Sequence, residues 1–146
     1  IGVIGGINHQ KGLKVVTEIA NRIWKNKLDV QLTVIGVVDS DLPIKGLAVT
    51  GPYLQSELPD IIEDNNINFA LFPSIWPETF SFVTSELIQL DVPLACFNIG
   101  APAERVCNYD RGLILESMNA EDVLSAIIDY YLKLKDSHFN VSKSLN

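Results

Sequence analysis

The chain has 146 residues, of which 47% are hydrophobic, and its formal net charge is −7. This length and apolar content suit one folded domain with a real core and exclude a disordered chain. The acidic balance argues against general binding of nucleic acid or of an anionic membrane, and no apolar run approaches the roughly 20 residues that cross a bilayer.

Apolar runs along the chain predict strands that alternate with helices. Strands are predicted at residues 1–6, 30–38, 47–50, 69–72, 92–97 and 112–115, and helices at residues 11–27, 56–65, 79–90 and from 119 onwards. Ser56 and Asn119 are the predicted N-caps, and residues 135–146 are expected to form a polar tail. The alternation predicts an α/β fold, a doubly wound parallel sheet of about six strands that binds ligands at the carboxyl ends of its strands.

One stretch, residues 69–106, carries charged residues where such a ligand would bind. A loop with Trp76 and Glu78 follows the predicted strand at residues 69–72, and Glu86 lies in the predicted helix at residues 79–90. The first amides of a helix attract phosphate. The two glutamates are eight helical steps apart, roughly 12 Å, which is too far for an acid–base pair. They are better placed to bind the two ends of a long ligand, with a sugar at each end and a phosphate group between.

The motifs in this stretch resemble a known family. They are Pro73-Ser74-x-Trp76-x-Glu78-x-Phe80, then Glu86, Val92-Pro93 and Gly100-x-x-x-Glu104-x-Val106. Together they resemble the C-terminal, donor-binding domain of GT-B fold retaining glycosyltransferases, the glycosyl transferases group 1 family. In that family two glutamates with seven residues between them flank the same loop and helix. The resemblance extends upstream to Lys11-Gly12 and covers the chain as far as about Leu134.

The resemblance implies a fold, a function and a partner. The chain, residues 1–146, would be a single Rossmann-like domain, one half of a GT-B fold, and the C-terminal part of a longer protein, as the missing initiator methionine also suggests. The whole enzyme would transfer a sugar from a nucleotide-diphosphate sugar to an acceptor with retention of configuration. The isolated chain, without the N-terminal acceptor domain, should bind donor but transfer poorly or not at all. We expect no metal or other cofactor, because the family generally needs none. The expected location is cytoplasmic, and any contact with the inner face of a membrane would be made through the missing domain.

The resemblance also implies roles for individual residues. Glu78, which would meet hydroxyls of the transferred sugar, and Lys11 are the candidate catalytic residues, and Glu86 would meet the nucleotide ribose. The other candidate donor-binding residues are Gly5, Gly6, Tyr53, Phe80, Ser81 and Phe82. The backbone amides of the last three would face sugar and phosphate, and Tyr53 stands where the family's nucleotide base packs. Ser81 stands where the family usually has glycine, so its side chain is expected to narrow the approach of the donor.

The first turn of the chain departs from the family. The family has a glycine–arginine pair here and a lysine five residues after the arginine, both on the donor diphosphate. This chain keeps the lysine as Lys11, whereas Gly6 stands where the arginine belongs. One charged contact is therefore missing, and the amides of Gly5 and Gly6 are expected to hold the donor instead. Without the resemblance, a plain strand–helix turn with a solvated lysine is the favoured interpretation of this segment.

Several alternatives stay open at the level of sequence. Trp76 would stack on a ligand or cover the sheet edge, Tyr53 would meet the base or pack on the surface, and Glu104 would be functional or cap a short helix. The alternative function is a non-catalytic Rossmann-like nucleotide-binding or regulatory module, in which the glutamates are relics. A nicotinamide- or flavin-binding domain is disfavoured because the early glycines lack the dinucleotide-binding spacing. The two cysteines, Cys96 and Cys107, are expected to be reduced thiols without a metal role.

Overall fold

The structure is a computed structural model that describes residues 1–144, with side chains described up to residue 137. Six strands occur in residues 1–144: β1 (Gly2–Ile7), β2 (Leu32–Val38), β3 (Leu47–Val49), β4 (Ala70–Phe72), β5 (Leu94–Phe97) and β6 (Gly112–Leu115). Five α-helices occur in the same range: α1 (Leu13–Asn26), α2 (Leu58–Asp64), α3 (Phe82–Gln89), α4 (Gly100–Val106) and α5 (Ala120–Ser144). A short 3-10 helix, Gln55–Glu57, precedes α2.

All strands belong to one parallel sheet in the order β3-β2-β1-β4-β5-β6. This confirms the predicted doubly wound, Rossmann-like α/β fold. Strand β4, the short apolar run, lies between β1 and β5, so it is central in the sheet. The strand order changes direction between β1 and β4, and in open α/β sheets ligands bind at the carboxyl ends of the strands beside such a switch point.

The sheet is covered on both faces because successive side chains of a strand point to opposite sides. One core joins the sheet to α1 and α5, and it includes Val3, Val34 and Leu71. The other joins the sheet to α2, α3 and α4, and it includes Ile4 and Ile35. Burial on both faces explains why the strands read as nearly continuous apolar runs instead of alternating ones.

The predicted turn at Gly5-Gly6 is wrong, because strand β1 continues through both glycines to Ile7. Gly5 pairs with Gly36 of β2 in the parallel ladder, and Ile7 pairs with Val38. Gly5 has φ 114° and Gly36 has φ 139°, a region that favours glycine. A Cβ on Gly36 would lie 2.2 Å from the Gly5 carbonyl oxygen. Paired glycines therefore let the two strands stay together where a sequence pattern predicts a break.

The caps of two helices differ from those expected. Ser56 does not cap α2, because residues 55–57 form the 3-10 helix and the Glu57 carboxylate accepts a hydrogen bond of 2.8 Å from the Leu54 amide. Helix α3 begins at Phe82 instead of Thr79, because the Ser81 hydroxyl accepts a hydrogen bond from a first-turn amide. These side-chain acceptors fix where the helical hydrogen bonding starts.

The last helix begins as predicted and then extends into the expected tail. The Asn119 side chain accepts a hydrogen bond of 2.9 Å from the Glu121 amide, as an N-cap does. Helix α5 continues to Ser144, so most of the segment 135–146 is helical, and its last two residues lie outside the described residues. Within residues 1–144, no helix has both the length and the apolar character to cross a bilayer.

Candidate functional site

A cleft of about 330 Å³ lies at the carboxyl ends of β1 and β4. Its walls are the ends of these strands, the loops that follow them and the start of α3. Seven of the nine candidate residues line it: Gly5, Gly6, Lys11, Glu78, Phe80, Ser81 and Phe82. A larger cavity, about 1050 Å³, lies at the amino ends of β2 and β3 and is lined by none of the candidate residues. We therefore take the smaller cleft as the site, because most of the candidate residues meet there beside the start of α3.

Lys11 and Glu78 form an ion pair inside this cleft, with the Lys11 ammonium against Glu78 Oε1. Buried Ser74 donates a hydrogen bond of 3.0 Å to the same carboxylate oxygen. The side chain of Glu78 is 15% exposed and that of Lys11 is 41% exposed, so the carboxylate is the more enclosed partner. The Lys11 ammonium also lies 5.8 Å from the centre of the Phe72 ring. The structure thus brings both candidate catalytic side chains together.

The turn that carries Lys11 is pressed against the loop that follows β4. Gly12 has φ 84°, and a Cβ there would lie 2.1 Å from the Pro73 carbonyl oxygen, so no other residue fits without a backbone shift. The Ile75 amide donates to the Gln10 carbonyl at 3.0 Å. The Lys11 amide donates to the Asn8 side chain at 3.0 Å. These contacts position Lys11 at the mouth of the cleft.

The loop that carries Glu78 is fixed from the other side by α4. The Ala101 amide, in the first turn of α4, donates a hydrogen bond of 2.9 Å to the Glu78 carbonyl. Gly100 has φ 65°, and a Cβ there would lie 2.8 Å from that carbonyl oxygen. The Gly100 position therefore allows the close contact that places Glu78. Of the two alternatives for Glu104, the cap of the short helix is excluded, because α4 already begins at Gly100 and Glu104 lies inside it.

Ser81 lines the cleft and uses its hydroxyl to cap α3. Buried Ser81 accepts hydrogen bonds from the Thr84 amide at 3.2 Å and from the Thr84 hydroxyl at 2.9 Å. The Thr84 amide is thereby satisfied. The Phe82 and Val83 amides precede it in the first turn, where no intrahelical acceptor exists, and both residues line the cleft.

Glu86 and Tyr53 lie outside the lining of this cleft. Gln55 donates a hydrogen bond of 2.6 Å from its side-chain amide to Glu86 Oε1. Burial raises the pKa of the Tyr53 hydroxyl, and the negative charge of Glu86 raises that pKa further. Sequence reasoning missed Gln55, because its partner is 31 positions away. The only local signal was its place two residues after Tyr53.

The remaining candidate residues give weaker evidence of a function than those that line the cleft. Trp76 is 58% exposed, so little of its ring covers the sheet. Cys96 is buried, Cys107 is exposed, and both are free thiols. Sequence reasoning also missed an Asp-x-Asp sequence, Asp39-Ser40-Asp41, which follows β2. Its side chains are exposed. Among the residues that the structure describes, no three His, Cys, Asp or Glu side chains cluster in a way that could bind a metal ion.

Several solved structures share this fold at low sequence identity. A mutant of S. aureus TarM, in complex with fondaparinux, alpha-GlcNAc-glycerol and UDP, superposes with a TM-score of 0.70 at 17% identity over 89% of this chain. This chain spans 28% of that protein. The catalytic domain of cholesterol-alpha-glucosyltransferase from Helicobacter pylori gives 0.64 at 21% identity, over 94% of this chain and 89% of that one.

The fold is also that of a domain solved alone. The C-terminal domain of LpcC, a glycosyl transferase group 1 family protein from Francisella tularensis, gives a TM-score of 0.62 at 20% identity, over 84% of this chain and 70% of that one. The six-stranded sheet and its helices thus form a Rossmann-like domain of the GT-B type. A comparison with curated protein sequences gave no match. The family model for "Glycosyl transferases group 1" matches residues 1–143, and with nearly the whole chain covered, the protein belongs to that family.

Proposed function

We propose that this chain is the donor-binding domain of an enzyme that transfers a sugar from a nucleotide-diphosphate sugar to an acceptor with retention of configuration. The observation that carries the proposal is the Lys11–Glu78 pair at the amino end of α3. A cation beside exposed helix amides suits a diphosphate, and an adjacent carboxylate suits sugar hydroxyls. An acceptor domain from the rest of a longer protein would close the cleft.

The diphosphate is bound by Lys11 and by the start of α3. A lysine ammonium has three N–H donors, so its contact with Glu78 leaves others for phosphate oxygens. The Phe82 and Val83 amides lie at the positive end of the helix macrodipole and lack intrahelical acceptors. Of the expected Phe80, Ser81 and Phe82 amides, this proposal keeps that of Phe82 and adds that of Val83.

The two glutamates bind the two ends of the donor. Lys11 and Ser74 both contact Oε1 of Glu78, which leaves Oε2 for hydroxyls of the transferred sugar. Gln55 contacts Oε1 of Glu86, which leaves the second oxygen for the ribose hydroxyls. Tyr53, beside Glu86, is then near the nucleotide base. In each case a neighbouring donor fixes the carboxylate before the ligand arrives, which lowers the entropy cost of binding.

The contribution of this chain to catalysis in the longer protein is electrostatic. As the bond between sugar and diphosphate breaks, negative charge grows on the departing nucleoside diphosphate. Lys11 and the first amides of α3 are in place to stabilise it, since preorganised donors act most strongly on developing charge. Glu78 lies on the sugar side, where the ring gains positive, oxocarbenium character. The family resemblance supports retention of configuration.

The test is calorimetric titration of the chain and two variants with UDP, GDP and ADP and with their glucose conjugates. Glu86→Ala should weaken both the nucleoside diphosphate that binds and its sugar conjugate, because ribose is common to both. Glu78→Ala should weaken only the sugar conjugate. Each lost charged hydrogen bond is worth about 1.5–3 kcal/mol, or roughly a ten- to hundredfold higher Kd.

Glu63→Ala is the matched control. Glu63 is an exposed glutamate of α2 that does not line the cleft and takes no part in the Gln55–Glu86 hydrogen bond. It should change neither affinity. If Glu78→Ala lost affinity for the plain nucleoside diphosphate as strongly as for the conjugate, the assignment of the sugar end would be wrong. If either variant melted far below the parent chain, the glutamates would be structural.

A non-catalytic nucleotide-binding or regulatory module is the second candidate, and Gly6 is the observation that favours it. The family's arginine is missing there, so the chain has fewer charged contacts for a departing diphosphate. A longer protein that contains both domains separates the two functions. Donor binding with sugar transfer supports the enzyme, whereas donor binding without transfer to any acceptor supports the module.

A further inference from the structure

Arg105 of helix α4 contacts the segment that leads from Glu78 into α3. Its guanidinium carbon lies 4.3 Å from the centre of the Phe80 ring, well within cation–π range. Its Nη1 donates to the Ser85 hydroxyl in the first turn of α3. The Phe80 ring in turn meets the Phe82 ring edge to face, with 4.7 Å between their centres. Arg105 thus links α4 both to the segment before α3 and to α3 itself.

The segment needs such a contact, because burial does little to fix it. Phe80 is 47% exposed and Phe82 is 74% exposed. The backbone on either side is anchored: the Glu78 carbonyl accepts from the Ala101 amide, and Ser81 caps α3. Phe80 lies between these anchors and lines the cleft, so the guanidinium on its ring orients the middle of the segment.

We propose that Arg105 is a positioning residue for the donor site, which it shapes through Phe80 and Ser85 without touching the donor. The inference rests on the proposed function, in which the Phe82 and Val83 amides bind the diphosphate. Fixing Phe80 and the first turn of α3 presents these amides in one orientation. Arg105 should therefore favour ligands that carry the diphosphate and should not affect a nucleoside that lacks it.

The chemistry of arginine sets the pattern expected for substitutions. Its planar group can stack on a ring and donate a directed hydrogen bond at once, which a lysine ammonium cannot do. Arg105→Gln should raise the Kd of the nucleoside diphosphate about five- to seventyfold, the combined size of an exposed cation–π contact and one hydrogen bond. Arg105→Lys should fall between the parent and Arg105→Gln, since it keeps the charge alone.

A double-mutant cycle tests whether Arg105 acts through Phe80. Calorimetry would compare the chain, Arg105→Gln, Phe80→Leu and the double variant, each titrated with UDP, GDP and ADP and with the matching nucleosides. If Arg105 acts through the ring, adding Arg105→Gln to Phe80→Leu should cost clearly less than it does in the parent. Arg22→Gln is the control, because Arg22 pairs with Glu121 between α1 and α5 on the other face of the sheet.

The outcomes separate this inference from the function on which it rests. A parent chain that binds none of these nucleotides overturns the proposed function and this inference with it. A parent that binds, with Arg105→Gln equal to it, overturns this inference alone. Equal losses for nucleoside and nucleoside diphosphate, or strictly additive losses with Phe80→Leu, also overturn it. If Arg105→Gln fails to melt cooperatively, Arg105→Lys provides the same comparison.

Discussion

Restoring the missing arginine at Gly6 is the most direct probe of the cleft. Gly6 is exposed and lines the site, and its φ lies outside the left-handed region. A Cβ there would meet only a Val37 methyl carbon at 3.7 Å, which is ordinary contact. Gly6→Arg should therefore fold, and its guanidinium can reach the space where the diphosphate is proposed to bind. We expect tighter binding of nucleoside diphosphates.

The size of the gain follows from the surroundings of Gly6. A charged hydrogen bond is worth about 1.5–3 kcal/mol. Gly6 is exposed at the cleft mouth, so solvent screening favours the lower end of that range. About 1.5 kcal/mol corresponds to a Kd roughly tenfold lower. The gain should shrink as salt rises from about 0.05 to 0.5 M, because exposed charges are screened over a shorter distance.

Calorimetric titration with UDP, GDP and ADP measures this gain, and Gly6→Gln is the matched control. Glutamine adds a polar chain without charge, so it should leave the affinity near that of the parent. An equal gain from Gly6→Gln, or an equal gain for the plain nucleoside, would refute the argument that Gly6 stands beside the diphosphate. Loss of cooperative melting in Gly6→Arg would show that the position is not as open as described.

Two further predictions concern stability and thiol chemistry. Ser81→Ala should lower the free energy of unfolding by about 1 kcal/mol, because the Thr84 amide loses its cap; an unchanged urea midpoint at constant slope would contradict this. With a thiol-reactive disulfide reagent at pH 8, one thiol, Cys107, should react in the native chain and two in denaturant. Burial, with a smaller effect of Cys107, raises the pKa of Cys96 to about 12, so its reactive thiolate is scarce; two fast native thiols would refute this.

The sequence by itself determined the class of fold and most of the cleft. Strand and helix periods are local properties, so apolar runs and helical spacing were enough to predict a doubly wound parallel sheet. The family motifs identified Lys11, Glu78 and the start of α3, which do line one cleft. The ends of the helices were predicted less accurately. Ser81 lies inside the predicted helix at residues 79–90 but is its N-cap, so the helix begins at Phe82.

Only the tertiary structure decided which side chains meet. Lys11 and Glu78 are 67 positions apart, and their contact depends on β1 and β4 lying side by side. Arg105 reaches the start of α3 across 20 positions because α3 and α4 pack on the same face of the sheet. The continuation of β1 through Gly5 likewise depends on Gly36 in the neighbouring strand. Periodicity describes a segment and its own two faces, whereas a contact between segments is set by sheet order and register, which no local pattern contains.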